Sequence, residues 1–600
     1  MEPKKSAFSY FVIILYLIGT LYILICGVNN LGEGQEYPYV LQGAFLVAFI
    51  LLWLFINALA AFSARLELED IISKRKKLFC VAEAMVVLVI LAVAVYVRLI
   101  CIQKLPMEPE SDYKTYYEIA DLLKRGILTE EGAGYCDYIA MFPHVFGYPY
   151  VLSVIFRIFG TSVRVAQIFN VVLAAGAISI SYRIARLIGG AAAGVCTLFL
   201  TAFWPSQILY INQVASEYLF SFMLLLCLYI FMITIKKYDA KVRHPVVGVL
   251  LYILLGILLA LTACVRPMAL ILLITIIMCI FFRKMWLPVK KVIDQPVSLV
   301  ILSKGWMRCA IVVLTYFMIS SFCSMGIEYA IDRPLASGSA SFGYNLLVGL
   351  NQESMGGWNQ EDADYLYNAL DEYRNATEAH LVCRDLAIQR LKGAPEGIFN
   401  LFLYKFRTLW SNDDYGSTWS ILFMDQQGTL TREREQFLYK IRDFSNLYYL
   451  MVVAFAAVGG VFLWKKGNSF LYPFCLIFVG TVGMHLLVEN QNRYHYHALF
   501  MFALIAGCTV KDIYAMNRSK VLALREEKER IQQQAERDRE RMQKILEDEE
   551  MLVKLREEAM KSQFDMRSAL EKGYIKMSVS EAYGKDYLDG SAEDGKESEI

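Results

Sequence analysis

Carboxylates, tyrosines and a histidine crowd into one polar stretch, residues 106–150, PMEPESDYKTYYEIADLLKRGILTEEGAGYCDYIAMFPHVFGYPY. Glu108, Glu110, Asp112, Glu118 and Asp121 stand among Tyr113, Tyr116 and Tyr117, and FPHVFGYP closes the stretch with His144. A carboxylate held at a membrane surface beside tyrosines suits acid–base chemistry on a polar group presented from lipid. An ordinary solvated loop carries the same residue types, and Asp112 also suits a helix N-cap that accepts backbone N–H bonds. The cations nearest to apolar runs are Arg164, Arg266 and Arg493, with His144 and Lys114 behind them. A guanidinium matches phosphate oxygens and keeps its charge in a poorly hydrated site, so these residues are candidates for holding a phosphate.

Each candidate has a plainer role open to it. Arg164 suits an interfacial anchor, and Arg493 could pair with Glu489 one helical turn earlier. Arg266 precedes Pro267 at the end of an apolar run, where snorkelling alone accounts for it. His144 suits a hydrogen-bonded structural histidine. Glu217 opens SEYLFSFMLLL, where it either favours a helix N-terminus or faces a cavity as a second catalytic carboxylate.

The elements that must position these residues are membrane spans. The chain has 600 residues, 57% of them hydrophobic, too apolar for a soluble protein of average composition. A net charge of +1 supplies no basic field for nucleic acid. Most of the 13 cysteines lie in apolar runs as small hydrophobes. Cys136 and Cys383 fall in polar loops, and one possible pair is no disulfide framework. Residues 1–6 are short and basic, but the apolar run behind them lacks a small-residue cleavage site, so no cleavable signal is expected.

Apolar windows near the roughly 20 residues that cross hydrocarbon fall at about 8–27, 40–62, 79–102, 163–188, 191–209, 217–235, 246–264, 268–282, 308–326, 447–464, 468–488 and 494–510. Lysine and arginine concentrate in the connections 63–78, 236–244, 283–308 and 465–466, and are missing from 28–39 and 210–216. Alternating the spans places every basic connection, and both termini, on the cytoplasmic side. The same frame puts the 103–162 loop, Glu217, Arg266, the segment 327–446 and the 489–494 turn on the opposite face. A transporter more often buries its charges near mid-membrane in broken helices.

Within the polar stretch, Tyr113, Tyr116, Tyr117, Ala120 and Leu123 recur at helical spacing and predict an amphipathic interfacial helix over 113–123. Residues 147–160 are too short to span and read as a second interfacial segment. In the long insertion 327–446, Trp358, Asn351 and Lys405 suit sugar or acceptor contacts, as they also suit a well-turned loop. Asp362 and Asp364 have divalent-metal spacing but no companion ligands, and Asn375-Ala-Thr377 is a sequon. From 512 onward the chain is charged: 524–563 predicts a solvated helix with weak heptads, and 579–600 is expected to be disordered.

An acidic residue after the first core span, then YxxIAxxL, a Pro/aromatic segment and VRxxxxxN opening the next helix form an ordered set. With SEYLFSFMLLL (216–226), GILLALTACVRP (256–267) and NRYHYHALFMFALIAG (492–507), the set resembles the GT-C membrane glycosyltransferases. It is most similar to family 39, the dolichyl-phosphate-mannose protein O-mannosyltransferases and the lipid A aminoarabinose transferase, over roughly 80–510. The resemblance implies Asp112 as the base toward an acceptor hydroxyl and Arg164 as a ligand of the donor phosphate. Tyr113 and Tyr494 are candidates for substrate binding. The family usually has Asp-Glu where this chain has Asp112-Tyr113, so a partner carboxylate is missing or comes from Glu110 or Glu217. That departure leaves any metal or other cofactor unknown.

The expectation is therefore an all-α polytopic membrane protein, GT-C-like, with about twelve spans, interfacial helices, a mixed extracytoplasmic insertion and a cytoplasmic helical tail. Its divisions are 1–78, 79–326 (catalytic core), 327–446, 447–511 and 512–600. Its partners are a polyprenyl-phosphate-linked sugar donor, an extracytoplasmic acceptor (glycan, lipid or protein hydroxyl) and a coiled-coil partner for the tail, in a bacterial plasma membrane. An O-antigen ligase or polymerase type of enzyme and a transporter or flippase are the alternatives.

Overall fold

The computed structural model describes residues 7–32, 38–68, 72, 74–239, 245–282, 305–338, 340–465 and 469–561. The leading residues 1–6, most of the basic connections 236–244 and 283–308, Lys466 and the acidic end 579–600 lie outside the described residues. Among the described residues every regular element is helical. Ten helices are long and apolar enough to cross a membrane, or up to 12 if two bent pairs each count as one span. All twelve windows read from the sequence fall on helices, as expected where backbone polar groups must be satisfied within the segment.

Some windows take a form that hydropathy alone does not convey. The 191–209 window is broken into Ala191–Ala202 and Pro205–Asn212, bent by 52°. Pro205 lacks the N–H that would continue the first helix, and it opens the next one. The 268–282 window is the short helix Ala269–Phe281, which starts just after Pro267. The 447–464 window belongs to a 34-residue helix, Arg432–Lys465, that begins inside the segment assigned to the insertion.

The helix expected over 113–123 is present as Ser111–Arg125. It packs on Gly147–Phe159, with Tyr116 edge-on to Tyr148 and Tyr117 edge-on to Phe156. The helices Ala133–Met141 and Pro143–Phe159 meet at 119°. The insertion is a set of helices, Gly343–Gly349, Gln360–Tyr373, Ala376–Gly393, Ile398–Trp410 and Tyr415–Gln426. Its Leu347, Val348, Leu366 and Ala379 share one buried core with Ile139 and Met141 of the polar stretch. Apolar burial of this kind, at about 25 cal/mol per Å², ties the two segments into one wall. Cys136 and Cys383 sit in that core as free thiols, not as a disulfide.

The chain divides into two compact units, 1–518 and 519–600. Among the described residues the last helix is Tyr496–Lys561. In the second unit Ile531, Met542, Leu546 and Val553 are exposed.

Candidate active site

A cavity of about 660 Å³ is walled by residues from widely separated stretches: Asp112 and Tyr116, then Tyr138 and His144, Arg266, Trp358 and Tyr367, Trp419, and finally His485, Glu489, Arg493 and Tyr494. Asp112 reaches it from the first turn of Ser111–Arg125. Ser111 has φ of +51°, a left-handed conformation that costs a non-glycine residue of order 1–3 kcal/mol and recurs at functional sites. The approach is clamped by Gln427, whose Nε2 donates to the Glu108 carbonyl (2.9 Å) and whose Oε1 accepts from the Glu108 N–H (3.1 Å). Glu110 occupies the N-cap position without a side-chain cap bond. Asp112 is not spent on capping; its Oδ2 accepts from Arg493 Nη2 at 2.5 Å.

Arg493 lies in the one-turn helix Asn492–His495, which two consecutive aspartates pin. His495 Nε2 lies 3.0 Å from Asp413 Oδ1, and Asn492 Nδ2 donates to Asp414 Oδ1 at 2.9 Å. From Arg493 a continuous polar ladder runs to the second arginine. Arg493 Nη1 donates to Tyr113 Oη (2.6 Å), which lies 2.8 Å from Tyr210 Oη. Tyr210 Oη donates to Glu217 Oε1 (3.0 Å), and Arg266 Nη2 donates to the same oxygen at 2.6 Å. Arg266 Nε donates to Ser216 Oγ at 3.0 Å. The guanidiniums of Arg266 and Arg493 both stand near the Tyr494 ring, 5.9 and 5.6 Å from its centroid. Two cations therefore line one cavity, each tied to one carboxylate, and Arg493 Nε and Glu217 Oε2 are buried without a hydrogen-bond partner among the described residues.

The structure separates the remaining candidates. His144, Tyr494 and Trp358 line the cavity with Asp112, Arg266 and Arg493. Tyr113 and Glu217 are buried behind its wall, within the ladder. Arg164 is exposed at the start of Val163–Gly189 and Lys114 is exposed toward Glu118 (4.0 Å), so neither lines the cavity. The resemblance points to Arg164, and closeness to apolar runs points to both, but neither signal says which way a helix turns its residues. Asn351 is a buried turn residue: its Oδ1 accepts from the N–H groups of Glu353 (3.0 Å) and Ser354 (3.2 Å). Asp362, read with Asp364 as metal spacing, is instead enclosed by Asn351, Asn359 and Arg390, while Asp364 accepts from Gln360. Among the described residues no group of three His, Cys, Asp or Glu side chains is placed to hold a metal ion. Asn375 of the sequon caps Ala376–Gly393, accepting from the N–H of Thr377 at 2.8 Å. Lys405 points at protein carbonyls, donating to Gly349 O (2.7 Å), Leu486 O (2.9 Å) and Val488 O (2.7 Å).

Sequence reasoning passed over His485 and Trp419 and saw Glu489 only as a partner for Arg493. For Glu489 the available signal is the polar island 489–493 between the apolar windows 468–488 and 494–510; His485 lies inside the first window and Trp419 in the long insertion, where nothing in the local sequence marks them. Burial pushes the Glu489 carboxyl above its ordinary range, and Arg493 opposes that shift.

No protein-family model and no curated protein matches the chain. Among solved structures it is similar to an oligosaccharyltransferase of Archaeoglobus fulgidus in complex with Zn and sulfate, at 14% identity and a TM-score of 0.40, over 73% of this chain and 51% of that one. It is also similar to the archaeal oligosaccharyltransferase AglB from Archaeoglobus fulgidus with an inhibitory peptide and a dolichol-phosphate (13%, 0.39, over 71% and 50%). A third similarity is to ArnT from Cupriavidus metallidurans bound to undecaprenyl phosphate (14%, 0.29, over 71% and 78%). The chain spans about half the length of the archaeal enzymes it matches. Scores of 0.40 and below assign neither an activity nor a residue role to this chain.

Proposed function

We propose that this protein is a GT-C-type membrane glycosyltransferase that moves one sugar from a polyprenyl-phosphate donor to a hydroxyl of an extracytoplasmic acceptor in a single inverting displacement. The observation that carries the reading is the meeting of Asp112, Arg266 and Arg493 at one cavity. In the proposed reaction Asp112 takes the acceptor's proton as its oxygen bonds to the anomeric carbon. The bond from that carbon to the phosphate oxygen breaks on the opposite face, and the charge leaves on the phosphate. Arg266 and Arg493 face that charge in an enclosed site, where fixed cations act more strongly than in water. A donor phosphate competes with Asp112 for Arg493, so donor binding loosens the ion pair and frees the carboxylate to meet the acceptor hydroxyl.

In this reading 79–326 is the catalytic core, 327–446 closes the cavity from outside, and the termini and the tail of possible coiled-coil pairing are cytoplasmic, in a bacterial plasma membrane. Arg164 then serves as an interfacial anchor. Proteoliposomes supplied with polyprenyl-monophosphate and polyprenyl-pyrophosphate sugars test the proposal. Transfer from the monophosphate donor that is lost in Asp112→Asn is expected. Transfer from the pyrophosphate donor alone points to a ligase or polymerase type, and acceptor-independent lipid flux points to a flippase.

A further inference from the structure

Beside the cavity lies a second recess, of about 320 Å³, that the proposed reaction does not use. It shares Tyr138 and Tyr367 with the cavity and no other residue, so these two side chains stand between the two spaces. The rest of its lining is Thr115, Glu131, Tyr135 and two glycines. Thr115 lies three residues beyond Asp112 on Ser111–Arg125, about 4.5 Å of helix rise, so the recess begins close to the carboxylate that meets the acceptor hydroxyl.

The rings that line it are held from behind. Tyr135 Oη donates to Glu118, and Tyr138 packs on Phe142 with ring centroids 5.1 Å apart. On the cavity side, Gln360, Ala363 and Tyr367 fall on one stripe of Gln360–Tyr373, about 10 Å long, with Trp358 just before it. Trp358 is 56% exposed and Tyr367 46% exposed, yet the turn ahead of them is fixed. The Gly356 N–H donates to Asn351 O at 2.8 Å, the Asn490 N–H donates to Gly356 O at 2.9 Å, and Met355 takes a left-handed φ of +53°. An aromatic ring on a fixed backbone has little freedom left to lose on binding.

This lining selects among acceptors. It has no aliphatic side chain for an acyl chain or an apolar peptide residue, and among the described residues no strand edge offers a peptide its backbone bonds. A sugar matches it: the C–H face of the ring lies on a tyrosine or tryptophan, and the hydroxyl rim meets a carboxylate and hydroxyls. We propose that the acceptor is a glycan of two or more sugars. Its reacting sugar lies in the cavity between Trp358 and Asp112. The next sugar lies in the recess against Tyr135, Tyr138 and Tyr367, with Glu131 at its hydroxyls. The inference rests on the glycosyltransferase reading and names its acceptor.

Protein in nanodiscs is first passed over an array of oligosaccharides and Ser/Thr-rich peptides. The tightest oligosaccharide is then titrated by calorimetry beside the methyl glycoside of its terminal sugar. A Cβ on Gly134 meets nothing within 4 Å and its backbone is helical, so Gly134→Leu fills the recess without disturbing the fold. The oligosaccharide is expected to bind at least about tenfold tighter than the methyl glycoside, and Gly134→Leu and Tyr367→Ala each to remove most of that gain. Retention of peptides alone, retention of no glycan, or equal binding of oligosaccharide and methyl glycoside overturns the proposal, as does a gain that survives Gly134→Leu. Sugar transfer from the polyprenyl-phosphate donor to a peptide overturns it too and leaves the proposed function standing. Glycan binding with no transfer from any lipid-linked donor takes down that function and leaves the recess a glycan site.

Discussion

Two aspartate–arginine pairs of nearly equal length, Asp112–Arg493 at 2.5 Å and Asp362–Arg390 at 2.6 Å, do different things in this molecule. The Asp362 side chain is 0% exposed and its carboxylate also accepts from Asn351 Nδ2 (2.9 Å) and Asn359 Nδ2 (2.8 Å). Asn359 in turn accepts from the Asp362 N–H at 2.9 Å, so the residue closes the turn that opens Gln360–Tyr373. The Asp112 side chain is 42% exposed and faces a cavity, with its arginine as the one side chain bonded to it among the described residues. A carboxylate enclosed by donors is held in one place with its lone pairs taken. One that keeps an open side can exchange a proton with a ligand. Pair geometry alone does not separate the two roles; enclosure does.

The contrast can be broken by substitution. Asp112→Asn keeps the size of the side chain and removes the base, so sugar transfer in proteoliposomes should fall by about 10²–10⁴-fold while the melting temperature hardly moves. A large loss of melting temperature instead would make Asp112 a second structural aspartate. Asp362→Ala should do the reverse. It takes the acceptor from Asn351 Nδ2 and Asn359 Nδ2 and the carboxylate from the partly exposed Arg390, at a cost of about 1–3 kcal/mol, read by thermal unfolding in detergent, with transfer per folded molecule retained.

Lys405→Met tests the frame beneath the cavity rather than its chemistry. Three carbonyls lose their donor, and we expect about 2–4 kcal/mol of destabilisation. Arg493→Lys sharpens the comparison from the cation's side. A single ammonium does not reproduce the fork that holds Asp112 and Tyr113 together, and the donor KM should rise by about tenfold with a smaller change in kcat.

The smallest effect is expected at Glu489, whose carboxyl burial raises above its ordinary value. A raised folded-state pKa contributes stability that is complete below the unfolded value, about 4.3, and is lost as pH rises through the folded value. The melting temperature should therefore decline slightly from acid toward neutral pH, and Glu489→Gln, which resembles the protonated form, should remove that part of the decline.

The helices and their number follow from local sequence, because a run of about 20 apolar residues can satisfy its own backbone only as a helix in hydrocarbon. The helix Ser111–Arg125 is equally legible from the spacing of Tyr113, Tyr116, Tyr117 and Ala120, since periodicity is a property of neighbours. The candidate cations were legible as a set, but their partners were not. Arg493 had Glu489 four residues before it and yet bonds Asp112, 381 positions away. Arg164 and Lys114 carry the same charge near other apolar runs and are exposed. Chain proximity to an apolar window says how deep a residue can sit and nothing about its azimuth around the helix. Which carboxylate meets which guanidinium, and which of them keeps an open side, is decided when segments hundreds of residues apart pack into one wall.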